Sequence, residues 1–292
     1  MNARALVYNQ AGALRAPWRI AAFIAISIVM LVIVGVTVGP ILEWLFVHSG
    51  LAGVETDSWV TVIALLIATA ISLRRIDNRP WSDVWLDRAA ARPRLLACGF
   101  AVGAFAIGLP VALLIVAHWE ANVGSPAGSW VGAAVRVSLT LLPAALLEEL
   151  VTRGYILSVL RESWGWLGAI TFTSVGFGLL HLRNPDATPG SLALVTVAGF
   201  FLVAVLYVTR SLYAAWMAHF AWNWTMAVLF HTAVSGIRME SPGYRYVDAG
   251  PDWATGGPWG PEGGVLAALG MIAGMAFLLA AHRRSQRDIE ES

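Results

Sequence analysis

The chain has 292 residues, 58% of them hydrophobic and 13% charged, with 19 basic against 18 acidic side chains and a mean hydropathy of +0.69. A soluble domain carries about a quarter charged residues, so a soluble globular protein is excluded, as is a disordered chain of low hydrophobicity. A formal net charge of +1 offers no electrostatic footprint for nucleic acid.

What remains is an all-α polytopic membrane protein. A helix needs about 20 apolar residues to cross a bilayer, and eight runs reach or approach that length: 18–39, 59–73, 95–117, 131–147, 166–180, 192–209, 212–230 and 265–281. The second and fifth are the shortest. The first follows Arg4, Arg15 and Arg19 but is too long for a signal-peptide core and lacks a clear cleavage site, so it reads as a retained span. Between the second and third runs, 74–94 is polar with interleaved Trp81, Trp85 and Leu86. It reads equally as an interfacial amphipathic helix or as a plain cytoplasmic loop. Cys98 opens the third run and is expected to be a small packed hydrophobe. The Gly- and Pro-rich stretch 241–264 reads as an outer loop.

All 19 basic residues are arginine, and their placement sets the orientation. With the N-terminus inside, Arg4, Arg15, Arg19, Arg74, Arg75, Arg79, Arg88, Arg92, Arg94, Arg161, Arg210, Arg283, Arg284 and Arg287 fall on the inner side. Only Arg183, Arg238 and Arg245 fall outside, while Arg136 and Arg153 lie in or beside the fourth span. Both termini are therefore expected in the cytoplasm. Trp18, Trp44, Trp59, Trp119, Trp130 and Trp166 sit near run ends, as interfacial anchors do. No internal repeat or separate soluble domain is visible, so residues 1–292 read as one transmembrane domain.

Ionisable groups inside apolar runs are costly and mark function. Glu148 and Glu149 are the only acidic residues so placed. His181 ends the fifth run, and His219 lies inside the seventh. Glu149 and Arg153 are four apart and share a helix face. Glu148 lies about 100° around the helix and has no local counter-charge, which suits a proton-transfer role. His219 and Asn223 share a face in the same way, and Phe177 precedes His181 by one turn. If the fourth helix continues to Glu162 and turns near 163–165, Glu148 and His181 stand about 22 and 27 Å above that turn at 1.5 Å per residue. Pro143 removes a backbone donor and is expected to kink the fourth helix.

These residues match a family pattern. The sequence resembles the CAAX protease and bacteriocin-processing family, also called the ABI family of intramembrane proteases, which includes the type II CAAX prenyl endopeptidases. Its motifs E-E-x-x-x-R, F-x-x-x-H and H-x-x-x-N appear as Glu148-Glu149 with Arg153, Phe177 with His181, and His219 with Asn223, in order on three apolar runs. The resemblance covers about residues 141–225 and places a catalytic core at about 131–231. It implies an intramembrane endopeptidase without a cofactor, acting on a membrane-associated peptide or protein. Glu148 would be the general base and His181 would help hold the water. His219 and Asn223 would stabilise the oxyanion, and Glu149 and Arg153 would orient the site. A bacterial cytoplasmic membrane is the expected location. Three other readings stand beside this one: a metallohydrolase using the same Glu and His residues, a non-proteolytic scaffold of the same fold, and a proton-coupled transporter.

Overall fold

A computed structural model describes residues 6–9, 12–124, 129–239 and 245–290. It is mostly helical. The helices are α1 (Ala16–Thr37), α2 (Gly39–His48), α3 (Asp57–Ile71), α4 (Pro93–Val116), α5 (Trp130–Arg153), α6 (Tyr155–Leu180), α7 (Pro189–Thr209), α8 (Leu212–Trp224), the short α9 (Asp252–Thr255) and α10 (Val265–Glu290). Strands β1 (Glu120–Val123) and β2 (Arg245–Asp248) pair antiparallel, Glu120 opposite Asp248 and Val123 opposite Arg245.

Local chemistry fixes the helix starts. Pro17, Pro93 and Pro189 occupy the first turns of α1, α4 and α7, where a missing N–H costs nothing. The hydroxyls of Ser129, Thr188 and Ser211 accept hydrogen bonds from Gly132, Ser191 and Ala214, capping α5, α7 and α8.

Among the described residues, six helical stretches are long and apolar enough to cross a membrane: Ala16–Thr37, Asp57–Asp77, Pro93–Val116, Trp130–Arg183, Pro189–Thr209 and Val265–Arg284. The protein is thus an integral membrane protein. The 54-residue stretch Trp130–Arg183 holds both the fourth and the fifth expected runs. The seventh corresponds to α8 with the π-helical turn Thr225–Leu229, and it is not among the six.

The chain departs from the simplest reading in four places. The fourth expected helix does not run unbroken to Glu162. It breaks at Gly154 (φ −84°, ψ −124°) and again at Gly165 (φ 69°, ψ 179°), a backbone conformation open to glycine. Cys98 is exposed rather than packed, because it faces away from the helices that α4 contacts. Residues 74–94 form no amphipathic helix. A π-turn and a 3₁₀ turn fold Val84, Trp85 and Leu86 inward, and the Trp85 carbonyl accepts the N–H of Leu212 at the start of α8. The 241–264 stretch is more ordered than a plain loop: it carries β2, α9 and two 3₁₀ turns, its residues 241–244 lying outside the described ones. Arg4 lies outside them too.

The bundle has two unlike ends. At the arginine-rich end, Arg19 bridges Asp77 (2.7 Å) and Glu162 (2.6 Å), and Arg79 pairs with Glu162 and with Asp83 (3.4 Å). There Arg161 and Arg210 lie 5.3 and 5.2 Å from the ring centre of Trp166, cation–π contacts suited to an interface. At the other end, the antiparallel β1–β2 pair, the 181–188 connection and the described residues of 230–239 and 245–264 fold over the helix tips. We call this the strand end. Its strands are tied by the Tyr246 hydroxyl, which donates to Glu120 at 2.6 Å.

Candidate active site

Two seams set the helices that carry the polar residues. Gly99 and Gly103 of α4 lie against α8 so closely that an added Cβ would stand 2.1 Å from the Ala214 carbonyl oxygen and 2.0 Å from that of Ala218. Small residues four apart on both helices permit this backbone approach, and it fixes α8 just before His219. The second seam comes from Pro143. Its missing N–H leaves the Leu139 carbonyl without a helical donor, and the Trp59 indole fills that place at 3.0 Å. The adjacent Leu142 carbonyl accepts Trp216 of α8 at 2.8 Å. Thus α5 is keyed to α3 on one side and to α8 on the other.

This packing brings the expected residues together. Glu149 and Arg153 are wholly buried, and the Arg153 guanidinium donates to Glu149 Oε1 at 2.8 Å. Arg153 also donates to the Gly199 carbonyl of α7 at 3.1 Å and stacks over the Phe177 ring at 4.3 Å. His219 Nδ1 lies 2.9 Å from the same Glu149 oxygen. A carboxylate accepts, so Nδ1 carries the hydrogen there, and Nε2 is turned to Glu148 at 3.7 Å. His181 is oriented by the same logic. Its Nδ1 lies 2.9 Å from the Phe177 carbonyl, which can only accept. Its Nε2 therefore also faces Glu148, at 3.9 Å.

Glu148 is the odd member. Its side chain is 28% exposed, whereas that of Glu149 is 0% exposed. No hydrogen bond engages its buried Oε2. Glu148, His181, His219 and Asn223 all line one cavity of about 110 Å³, room for a few waters at about 30 Å³ each. So the geometry divides the seven motif residues into two groups. Glu148, Phe177, His181, His219 and Asn223 meet the cavity, while Glu149 and Arg153 hold His219 and Phe177 from behind. Among the described residues, no group of three or more His, Cys, Asp or Glu is arranged to hold a metal ion.

One cavity residue escaped the sequence reading. Glu262, in the 3₁₀ turn Pro261–Gly263, is buried and lines the same cavity. It accepts from Trp222 Nε1 at 2.9 Å and from the backbone N–H and hydroxyl of Ser235 at 2.6 and 2.5 Å. The Ser235 carbonyl in turn accepts from Asn184 at 3.0 Å. Glu262 thereby clasps the α8 residue beside Asn223 to the turn that follows His181. No apolar run surrounds it in sequence, so nothing there marked it.

Residues 129–225 match the family model described as type II CAAX prenyl endopeptidase Rce1-like. That segment is similar to the Rce1-like family. It covers roughly a third of the chain and contains all three motifs, so the resemblance to the CAAX protease family is borne out there. No curated protein and no solved structure matches the chain. The matched segment runs from the cap of α5 to the start of the π-turn after α8, with β1 before it and β2 and the Glu262 turn after it.

Proposed function

We propose that the protein is an intramembrane endopeptidase of a bacterial cytoplasmic membrane. It hydrolyses a peptide bond in a membrane-associated peptide or protein by means of a carboxylate-activated water. The observation that carries this reading is the Glu148 carboxylate, which faces two imidazole Nε2 atoms at 3.7 and 3.9 Å in a largely apolar cavity. Those distances are too long for direct hydrogen bonds and suit groups that act on one shared oxygen.

Glu148 takes a proton from that water, and His181 Nε2 holds the water by a second contact. The water oxygen then adds to the scissile carbonyl. Asn223 donates from its amide to the developing oxyanion. For His219 to donate from Nε2 as well, the ring must carry hydrogens on both nitrogens. An imidazolium at that place stands between the carboxylates of Glu148 and Glu149. Collapse of the tetrahedral species breaks the C–N bond, and Glu148 returns its proton to the leaving amine. Glu149 and Arg153 touch no reacting atom and act by holding His219. The match to a type II CAAX prenyl endopeptidase model supports a membrane protease.

The test is cleavage of a quenched peptide by the purified protein. Glu148→Ala is expected to lower the rate by about 10²–10⁴-fold, the usual worth of a general base, with His219→Ala also strongly impaired. Wild-type rates in both variants would overturn the reading. A rate unchanged by chelator is expected. A rate lost on chelation and restored by zinc would assign the same side chains to a metal instead.

A further inference from the structure

The cavity is walled unevenly along the bundle axis. Its lining runs from the middle of the bundle to the strand end and includes the connecting residues Asn184, Ser235, Ile237 and Glu262. No lining residue comes from 149–176 or 203–218, the segments that reach toward the arginine-rich end. That side is solid. Glu149 and Arg153 are fully buried directly below Glu148. Beneath them Leu150, Tyr155, Leu157, Leu206, Leu212 and Ala215 form a packed core in which none is more than 1% exposed. On the strand side, by contrast, Ile237 both lines the cavity and is 44% exposed.

The two ends also differ in charge. Arg15, Arg19, Arg74, Arg75, Arg79, Arg88, Arg92, Arg94, Arg161, Arg210, Arg283, Arg284 and Arg287 lie at the end away from the strands, against Arg183, Arg238 and Arg245 at the strand end. Short cytoplasmic segments are the arginine-rich ones.

We propose that the site is served from the extracytoplasmic face, and that its substrate is a peptide segment displayed on that side of the membrane rather than a cytosolic tail. This rests on the endopeptidase reading for the chemistry but not for the face. A substrate arriving from the cytoplasm would have to cross the Glu149–Arg153 floor and the apolar core beneath it. One arriving from outside meets the turns around Asn184, Ser235 and Glu262 first, then Glu148.

Two measurements test the proposal. In a Cys98→Ser background, Ile237→Cys and Arg88→Cys report the two faces to a membrane-impermeant maleimide in spheroplasts, with Asp186→Cys as a second outer marker. Labelling of Ile237→Cys or Asp186→Cys before lysis, and of Arg88→Cys only after it, is expected. Any labelling of Arg88→Cys in intact spheroplasts, or none of either outer marker, overturns the proposal. The second measurement uses an impermeant fluorogenic peptide selected for cleavage by the detergent-solubilised protein. Right-side-out vesicles are expected to cleave it, with loss of cleavage in sealed inside-out vesicles and in Glu148→Ala vesicles of either orientation. Cleavage by inside-out vesicles alone overturns the proposed face. A solubilised protein that cleaves no peptide defeats the endopeptidase reading instead, and the maleimide pattern still decides the face.

Discussion

Two polar clusters interrupt this apolar bundle, and they are built differently. At the arginine-rich end, Arg19, Asp77, Tyr155, Glu162, Arg79 and Asp83 form a chain of opposite charges. Arg19 contacts two carboxylates within 2.7 Å, and the Tyr155 hydroxyl donates to Asp77 at 2.8 Å. In the middle of the bundle, Glu149 and Arg153 are paired just as closely, yet among the described residues the nearest basic group to the neighbouring Glu148 carboxylate is His219 Nε2, at 3.7 Å. Burial alone therefore does not distinguish structure from chemistry in this molecule. An acceptor left uncommitted beside a cavity does.

The largest expected effect separates the two members of the carboxylate pair. Glu149→Ala leaves Arg153 buried without its counter-charge, a change that costs about 3–5 kcal/mol. A large fall in melting temperature in detergent is expected, together with loss of cleavage as His219 is released. Glu148→Ala should melt close to wild type. Equal melting temperatures for the two variants would erase the distinction between them. The double variant Glu149→Ala with Arg153→Met should recover much of the lost stability, since the uncompensated charge is gone.

A smaller effect is expected at the arginine-rich end. Arg19→Ala leaves Asp77 with Tyr155 and Glu162 with Arg79, so the loss is about 1.5–3 kcal/mol, the worth of hydrogen bonds to charged groups. Cleavage per folded molecule should be unchanged. A drop in kcat at unchanged KM in Arg19→Ala would mean that the two clusters are coupled.

The smallest effect is a pH dependence at the strand end. Burial pushes the Glu120 carboxyl up to about 7, and the Tyr246 hydroxyl bonded to it is raised too, chiefly by burial. A carboxyl whose folded pKa lies above its unfolded value stabilises fully below the unfolded value, near 4.5. That contribution is lost as pH rises through about 7. Limited proteolysis at β1 and β2 themselves should accordingly be slower at acidic than at alkaline pH, and Glu120→Gln should flatten the difference. An opposite slope in the wild type would count against the buried, protonated carboxyl.

Much of this arrangement was legible in the residues. The apolar runs mark the helices, because a bilayer demands long stretches of one chemistry. Glu148, Glu149, His181 and His219 stand out because such groups are rare in those runs. Helix rise put Glu148 and His181 at similar depth only on a helix unbroken to Glu162, which the break at Gly154 overturns; the structure brings Glu148 and both histidines within 4 Å by another route. Three features were not legible. The break at Gly154 is a backbone conformation (φ −84°, ψ −124°) that a single glycine in an otherwise helix-compatible stretch does not announce. The face of α4 that carries Cys98 is set by the contact of Gly99 and Gly103 with α8, a tertiary fact. Glu262 reaches the cavity only because a distant turn folds back over it, and its own neighbours in sequence, glycines and prolines, speak only of a loop.

The seam between α4 and α8 has a consequence for how the reaction geometry is kept. Nothing but backbone and two hydrogens separates Gly103 from the Ala218 carbonyl, and Ala218 is the residue before His219. One methyl group added at Gly103 would wedge the helices apart and carry the imidazole with it, although Gly103 lines no part of the cavity. Misplacement by about 1 Å is enough to cost 10²-fold in rate. In effect α4 serves as a gauge block for α8, and its tolerance is a single carbon atom.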